Sequence, residues 1–124
     1  MKILHIDDSQ AIRETFSDVL TMMGMDVVSI DNGKEGLQKI RDGSFDAILL
    51  DLTMPGFSGF QVLEELSNHG KTPNNIFALT AMTLTDIQKE KLVELGIKKI
   101  LHKPIEVDIL CKEIEALEEE IKNE

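Results

Sequence analysis

Three carboxylates that follow two apolar runs are the residues of this chain best suited to chemistry. Asp7 and Asp8 come directly after residues 3–6, and Asp51 comes directly after residues 47–50. Short apolar runs of this kind are typical of strands buried on both faces of a parallel sheet, and ligands bind beyond the carboxyl ends of such strands. Like charges about 4 Å apart repel by roughly 4 kcal/mol at an effective dielectric of 20. Because packing alone does not require that cost, the three acids predict a cation site.

The elements that would position these acids alternate along the chain, strand-like then helix-like, five times. Such βα units predict a parallel sheet with right-handed crossover helices on both faces. The strands expected to carry polar residues at their ends are the first, third, fourth and fifth, ending at Asp7-Asp8, Asp51, Thr80 and Lys103. Since these ends share one edge, a single crevice should collect three acids, a hydroxyl and an ammonium.

Composition limits the class of protein. The chain has 124 residues, 42% hydrophobic and 29% charged, which is ordinary for one globular domain. A net charge of −10 argues against direct nucleic-acid binding. No apolar stretch is long enough to span a bilayer, and the start runs straight into a strand without a signal peptide. With Cys111 as the single cysteine, the sequence predicts a cytoplasmic protein.

Helical spacing and strand patterning also predict which side chains are buried. In the last helix, one apolar face is expected to carry Ile109, Ile114, Leu117 and Ile121, with Leu110 beside it. Three methionines are expected to fill the core: Met22, Met23 and Met25. Strand five is expected over residues 97–101. Within the first strand, His5 is expected to be a packed, hydrogen-bonded core residue, whereas His102 is expected at the surface.

The donor types in the crevice indicate phosphoryl chemistry. Oxygen anions without sulfur or clustered histidine suit Mg²⁺ or Mn²⁺ rather than zinc, and Mg²⁺ is commonly completed by phosphate oxygens. Lys103 can pair with a phosphate or with Asp51, and Thr80 can donate a hydrogen bond to a phosphate oxygen. A carboxylate can itself attack phosphorus, with charge neutralisation lowering the barrier. This set predicts an aspartate that accepts a phosphoryl group.

At this point the motifs resemble those of the receiver domain of two-component response regulators, the CheY-like family. The motifs that carry the resemblance are residues 6–9 with Arg13, residues 50–56 with Gly59, residues 79–81 and residues 103–104. The resemblance covers the whole chain and implies a single receiver domain over residues 1–124. It also implies an α/β, flavodoxin-like (βα)5 fold with strand order 2-1-3-4-5 and helices on both faces of the sheet.

By that resemblance, Asp51 is the phosphoacceptor. Asp8 and Asp51 are expected to bind Mg²⁺ directly together with the backbone carbonyl of Thr53, while Asp7 holds the ion through water. Mn²⁺ is expected to substitute for Mg²⁺.

The resemblance also implies the contacts of the phosphoryl group. The backbone amides of Thr53 and Ala81 would contact its oxygens, along with Thr80 and Lys103. The Lys103–Pro104 peptide bond is expected to be cis, an otherwise uncommon state.

The implied function is that of a stand-alone response regulator in a two-component phosphorelay. It would accept its phosphoryl group from a sensor histidine kinase or a histidine phosphotransfer protein, and it would catalyse only its own phosphorylation and dephosphorylation. With no room for an output domain, the phosphorylated surface would carry the signal to an unidentified downstream protein. Neither nucleic acid nor a membrane is expected as a direct partner.

One position departs from the family pattern. Three residues before the lysine, receivers usually carry Tyr or Phe, and this chain has Ile100. Ile cannot hydrogen-bond through its side chain, and its β-branch stiffens the first torsion. We therefore expect Ile100 only to repack during activation, while Thr80 and the loop after it move.

Three alternatives come from other classes. A haloacid-dehalogenase-type phosphatase would need Asp-x-Asp-x-Thr, but Asp51 is followed by Leu52-Thr53 and the second acid is missing. A flavodoxin-type FMN binder would need a Ser/Thr/Gly-rich phosphate loop where this chain has Asp7-Asp8. A degenerate receiver used only for binding fits poorly with a complete set of acids, threonine and lysine.

Overall fold

The computed structural model describes residues 1–70 and 72–124 and contains five strands that alternate with five helices. The strands are β1 (Lys2–Ile6), β2 (Asp26–Ile30), β3 (Ala47–Asp51), β4 (Ile76–Thr80) and β5 (Lys99–His102). The helices are α1 (Gln10–Met22), α2 (Gly33–Asp42), α3 (Gly59–Asn68), α4 (Asp86–Glu94) and α5 (Val107–Lys122). Among the described residues, no helix is long and apolar enough to cross a membrane.

All five strands form one parallel sheet in the order β2-β1-β3-β4-β5. This confirms the predicted fold class and strand order. The register pairs Ile6 of β1 with Leu50 of β3. The next residue of each strand is an aspartate, so Asp7 and Asp51 lie side by side. In the same way, Thr80 of β4 is paired with His102 of β5, directly before Lys103. The register therefore brings the predicted polar strand ends to one edge.

The strands are buried on both faces because each side of the sheet packs against its own helices. Alternating residues of β1 belong to different clusters: Leu4 and Ile6 pack toward α2, α3 and α4, whereas Ile3 packs toward α1 and α5. All five residues of β3 and of β4 are buried. Burial of a Leu or Ile side chain stabilises the fold by about 1.5–3 kcal/mol. The fully buried strands β3 and β4 therefore form a rigid base for the crevice.

The helices that begin near the crevice have defined first turns. Ser9 caps α1 by accepting a hydrogen bond from the Ile12 amide. At the start of α3, Ser58 forms a reciprocal capping box with Gln61, and Thr85 does the same at α4. Such caps satisfy amides that the helix leaves free, so they fix where each loop from the sheet ends.

Three sequence predictions about local structure are wrong. Ile109 is 44% exposed because the buried stripe of α5 runs through Leu110, Ile114 and Leu117, about 100° around the helix. Met22 is 87% exposed, on the opposite side of α1 from the sheet, although Met25 is buried and Met23 half-buried as expected.

The third correction concerns the start of β5. The strand begins at Lys99 rather than at residue 97. The Ile97 amide donates to the Leu92 carbonyl at 3.1 Å, and Gly96 adopts a φ of 89°. This is the Schellman arrangement that ends a helix, so Ile97 belongs to the cap of α4.

Candidate functional site

The three predicted acids meet at the carboxyl edge of the sheet. Asp7 follows β1, Asp51 ends β3, and carboxylate oxygens of Asp7, Asp8 and Asp51 all lie within 4.8 Å of one another. Asp7 and Asp51 are buried, whereas Asp8 is exposed to solvent. The site therefore has a buried floor formed by two carboxylates and an open side occupied by the third.

Lys103 reaches the two buried acids from the end of β5. Its ammonium lies 2.8 Å from Asp7 Oδ2 and 3.3 Å from Asp51 Oδ2, and its side chain is only 15% exposed. The backbone holds this position, because the Lys103 amide donates to the Thr80 carbonyl at 2.7 Å. The Lys103–Pro104 bond is cis, as expected. One cation is thus shared between two anions.

Each buried acid is also oriented by the backbone two residues further along. The Ser9 amide donates to Asp7 Oδ1 at 2.9 Å, and the Thr53 amide donates to Asp51 Oδ1 at 3.0 Å. This pattern is the Asx-turn, in which a short acidic side chain bonds to its own loop. In both acids Oδ1 is held by the loop, which leaves Oδ2 to face Lys103.

The two buried carboxyl groups differ in pKa. Burial by itself would raise the pKa of Asp7. The nearby His5 imidazole, the Lys103 ammonium and the Ser9 amide outweigh burial and lower this pKa to about 2. The carboxyl of Asp7 is therefore ionised across the physiological range.

The pKa of Asp51 shifts in the opposite direction. Burial raises the pKa of Asp51 to about 6, and the negative charge of Asp7 adds to the rise. The Thr53 amide and Lys103 offset this only in part. Burial alone would lower the pKa of Lys103, but its hydrogen bond to Asp7 and the two neighbouring charges hold the pKa above 10.5. At neutral pH the floor of the site is one ammonium between two carboxylates, of which Asp51 is the more basic.

The hydroxyl and loop residues predicted for the site lie at the same edge. Thr80 is buried at the end of β4, and its hydroxyl accepts a hydrogen bond from the Met82 amide at 3.0 Å. Ala81 and Thr53 are exposed in the loops that follow β4 and β3. The loop after β4 is therefore attached to the sheet through the Thr80 hydroxyl.

Gly59 is needed for the loop after β3 to return across the sheet edge. A Cβ at this position would lie 2.3 Å from the Asp51 carbonyl oxygen and 2.7 Å from Leu52 Cα. The Gly59 amide instead donates to the Leu52 carbonyl at 3.2 Å. This close approach explains why the motif that includes Asp51 ends in a glycine at this distance along the chain.

His5 is the residue near the site whose surroundings the sequence did not predict. It is fully buried as expected, and its ring stacks on Phe16 with centroids 4.8 Å apart. The expected hydrogen bonds are absent, because neither ring nitrogen has a partner among the described residues. Its Nε2 lies 3.7 Å from Asp7 Oδ2. The two-residue period of a strand, which places His5 on the same side as Asp7, was the available signal.

Ile100 and His102 both lie in β5. Ile100 is half-buried and packs against the cluster formed with α2, α3 and α4. His102 is exposed, as predicted. The side chain three residues before Lys103 is thus part of the hydrophobic packing.

The residues at the sheet edge fit a hard divalent cation. Three carboxylate oxygens within 4.8 Å of one another offer anionic oxygen donors of the type that Mg²⁺ and Mn²⁺ prefer. The exposed Asp8 leaves the site open to a larger ligand. The arrangement is that of a shallow oxygen-lined cation site next to one ammonium.

Comparison with known proteins identifies the family to which this arrangement belongs. Residues 3–115 match the family model described as the response regulator receiver domain. The chain belongs to this family. Receiver domains are the signalling phosphoacceptors of two-component systems, which agrees with the predicted phosphoryl chemistry. The family match also removes the phosphatase and FMN-binding alternatives.

Individual relatives of the receiver are similar over nearly its whole length. It is 36% identical to the transcriptional regulatory protein CiaR of Streptococcus pneumoniae over 94% of this chain and 51% of CiaR. The structure of the chemotaxis protein CheY4 of Vibrio cholerae is 31% identical, with a TM-score of 0.79 over 94% of this chain and 97% of CheY4. The response regulator TrrA of Thermotoga maritima, solved in complex with Mg²⁺–BeF, is 30% identical, with a TM-score of 0.75 over 94% of this chain and 97% of TrrA.

The chain spans about half or less of the length of the first curated relatives it matches, at 51%, 12% and 49%. In those proteins the matching region is one part of a larger chain. The prediction that residues 1–124 form a single receiver domain that acts alone stays a prediction.

Proposed function

We propose that Asp51 accepts a phosphoryl group from a phosphohistidine on a sensor histidine kinase or a histidine phosphotransfer protein. The observation that carries this proposal is the position of its carboxylate, with Oδ1 held by the Thr53 amide and Oδ2 3.3 Å from the Lys103 ammonium. Asp51 is also the more basic of the two buried acids, with a pKa of about 6. It is therefore ionised at neutral pH and a better nucleophile than Asp7.

The transfer conserves atoms and charge. An Asp51 carboxylate oxygen attacks phosphorus, a new O–P bond forms, and the P–N bond to the donor histidine breaks. The bonding electrons pass to the imidazole, which takes up a proton. In this proposal Lys103 offsets the negative charge of the phosphoryl oxygens, and the Thr80 hydroxyl and the backbone amides of Thr53 and Ala81 donate to them. Attack by water on phosphorus later breaks the O–P bond, releases inorganic phosphate and restores the Asp51 carboxylate.

A divalent cation fits the same site. We assign Asp8, Asp51 and the Thr53 carbonyl as direct ligands of Mg²⁺, with Asp7 acting through water, and Mn²⁺ as a substitute. The mutual distances of the three carboxylates support this assignment, as does the Mg²⁺–BeF complex of TrrA. When bound, the ion supplies positive charge beside the phosphoryl oxygens. Without it, Lys103 is the ammonium paired with Asp7 and Asp51 among the described residues.

As a signalling phosphoacceptor, this receiver would catalyse only its own phosphorylation and dephosphorylation. Its upstream partner is a histidine kinase or a phosphotransfer protein, and its downstream partner is a protein that distinguishes the phosphorylated surface from the unphosphorylated one. The net charge of −10 favours a protein partner over nucleic acid.

The proposal is tested by phosphorylation with a small donor. Acetyl phosphate and Mg²⁺ should add one phosphoryl group, stable in acid and labile in base, as read by intact mass and peptide mapping. Asp51→Ala should abolish it, whereas Asp18→Ala, which removes an exposed acid from α1, should leave it unchanged. Mapping of the label to Thr53, Ser58 or a histidine would overturn the assignment.

A further inference from the structure

His5 is a polar side chain buried in a position that packing alone does not explain. It is completely inaccessible to solvent, and both of its ring nitrogens lack hydrogen-bond partners among the described residues. A buried polar atom without a partner destabilises a fold, and an aliphatic residue would fill the same place in β1 without that cost. The ring lies against Phe16 and directs Nε2 toward Asp7 Oδ2, 3.7 Å away.

The two oxygens of Asp7 are held unequally. Oδ1 accepts a short hydrogen bond from the Ser9 amide, which belongs to the same loop. Oδ2 accepts its hydrogen bond from Lys103 at 2.8 Å. Arg13 is close to Asp7 but donates to its backbone carbonyl rather than to its carboxylate. Among the described residues, Lys103 is therefore the group within hydrogen-bond distance of Oδ2, and His5 lies just beyond that distance.

Lys103 also lies close to a second anion, the Asp51 carboxylate. Its ammonium is already 3.3 Å from Asp51 Oδ2. A phosphoryl group on Asp51 brings additional anionic oxygens to this side of Lys103, and an ammonium is drawn toward the denser negative charge. As Lys103 turns, Asp7 Oδ2 loses its donor while it remains buried. His5 Nε2 is a potential donor that lies 3.7 Å from Oδ2.

We propose that His5 is a positioning residue that donates from Nε2 to Asp7 Oδ2 when Lys103 turns to the phosphoryl group on Asp51. This inference rests on the proposed function of Asp51. A relative shift of about 0.7 Å shortens the 3.7 Å separation to ordinary hydrogen-bond length. The neutral imidazole with its proton on Nε2 is sufficient, so the charge of His5 need not change. Asp7 then keeps its orientation in the phosphorylated state as well as in the free state.

Two substitutions separate positioning from packing. His5→Gln keeps an N–H donor at about the distance of Nε2 from the backbone, whereas His5→Leu keeps the volume and removes the donor. Phosphorylation by acetyl phosphate at saturating Mg²⁺ should stay within about threefold of wild type for His5→Gln and should slow at least tenfold for His5→Leu. The Mg²⁺ affinity of the unphosphorylated His5→Leu protein should change by less than about threefold, because Lys103 still holds Asp7 in that state.

If His5 had a purely structural role, the order of the two variants in stability and phosphorylation rate would be reversed. The apolar His5→Leu variant would then be at least as stable and as active as wild type, and the polar His5→Gln variant would be the impaired one. Thermal unfolding of both variants shows whether each is folded before its rate is compared. Equal rates for His5→Leu and wild type, or failure of His5→Gln to exceed His5→Leu, would overturn the proposal.

A second measurement uses the wild-type protein and does not depend on any variant folding. In ¹⁵N-histidine spectra, Mg²⁺ plus beryllofluoride should shift the His5 Nε2 proton downfield and slow its exchange with water. The exposed His69 and His102 provide internal controls that should shift less. A His5 ring that carries its proton on Nδ1 in the loaded state would contradict the proposal.

Failure of this inference is distinguishable from failure of the proposed function. If wild type takes no label on Asp51, the proposed function fails. If Asp51 is labelled at the same rate in wild type and in His5→Leu, Asp51 remains the phosphoacceptor and only the role of His5 is wrong.

Discussion

The Lys103 ammonium and the Asp7 carboxylate lie 2.8 Å apart, although 96 positions separate the two residues in the chain. Burial would raise the pKa of Asp7, but the His5 imidazole, the Lys103 ammonium and the Ser9 amide together lower it to about 2. Asp51, at 3.3 Å, keeps a pKa of about 6. Burial at Asp51, and the His5 and Lys103 side chains at Asp7, thus leave one permanent anion and one more basic carboxylate suited to nucleophilic attack.

Lys103→Met should weaken both the fold and the reaction. Removing one partner of a buried ion pair leaves uncompensated charge, which we expect to cost about 2 kcal/mol here because the lysine is partly exposed to solvent. Phosphorylation by acetyl phosphate should slow by about 100-fold or more, since a preorganised positive group is lost. Thermal unfolding in EDTA and intact-mass kinetics measure the two effects.

Lys98→Met is the matched control for this prediction. Lys98 also makes a 2.8 Å ion pair, with Glu120, but both side chains are substantially exposed. Such pairs contribute about 0–1 kcal/mol, so the control should change little in either measurement. Similar losses from the two variants would show that the position of Lys103 between the acids is not what stabilises the site.

The metal-free protein should lose stability as the pH rises from about 4 to about 6. The pKa of Asp51 is about 6 in the folded state, against a usual 3.8, so between these values the folded protein binds more protons than the unfolded chain. Stability then decreases with rising pH, by roughly 2 kcal/mol for this group. Asp7 affects the pH dependence of stability in the opposite direction. Its pKa of about 2 stabilises the fold above pH 3.8, and this stabilisation is lost as the pH falls toward 2.

Asp51→Asn isolates the contribution of Asp51 from those of the other carboxyl groups. In EDTA, the difference in unfolding free energy between the variant and wild type should grow in favour of the variant as the pH rises from 4 to 7. A difference that stays constant over this range would be inconsistent with a raised pKa for Asp51. Urea unfolding at fixed pH values gives the required free energies.

Mg²⁺ should stabilise wild type and not Asp8→Asn. A ligand that binds only the folded state stabilises it by about 2.7 kcal/mol at one hundred times its Kd. Asp8 is exposed, so its replacement should not lower the melting temperature in EDTA, and relief of repulsion from Asp7 and Asp51 should raise it slightly. Asp18→Asn, with an exposed acid on α1, should respond to Mg²⁺ like wild type. An unchanged Mg²⁺ response in Asp8→Asn would refute a shared site.

Ile100→Ala should reduce stability and spare the chemistry. Ile100 is half-buried in the cluster formed with α2, α3 and α4, so truncation should cost about 1–3 kcal/mol. The rate of phosphorylation should remain within about threefold, because Ile100 has no polar group to engage the phosphoryl site. Loss of phosphorylation in a variant that is still folded would contradict this and show that Ile100 contributes to the phosphoryl site.

The fold class and the grouping of the acids with the lysine follow from the order of residues alone. Apolar runs of strand length that alternate with helical periods allow only a parallel sheet with covered faces, and the ends of parallel strands must meet at one edge. Asp7, Asp8, Asp51 and Lys103 could therefore be placed together before any distance was known. These statements depend on local patterning, which the order of residues contains directly.

The division of charge between the acids and the choice of buried helix faces come from packing in three dimensions. The position of Lys103 between Asp7 and Asp51, and the unpartnered ring of His5 beside Asp7, arise from packing between strands far apart in the chain. Ile109 was misplaced because helical periodicity admits neighbouring faces, and contact with the sheet selects one of them. Differences of a few tenths of an ångström in the distances between buried groups decide their pKa values and which groups form hydrogen bonds. Such differences follow from the packed fold rather than from the order of residues.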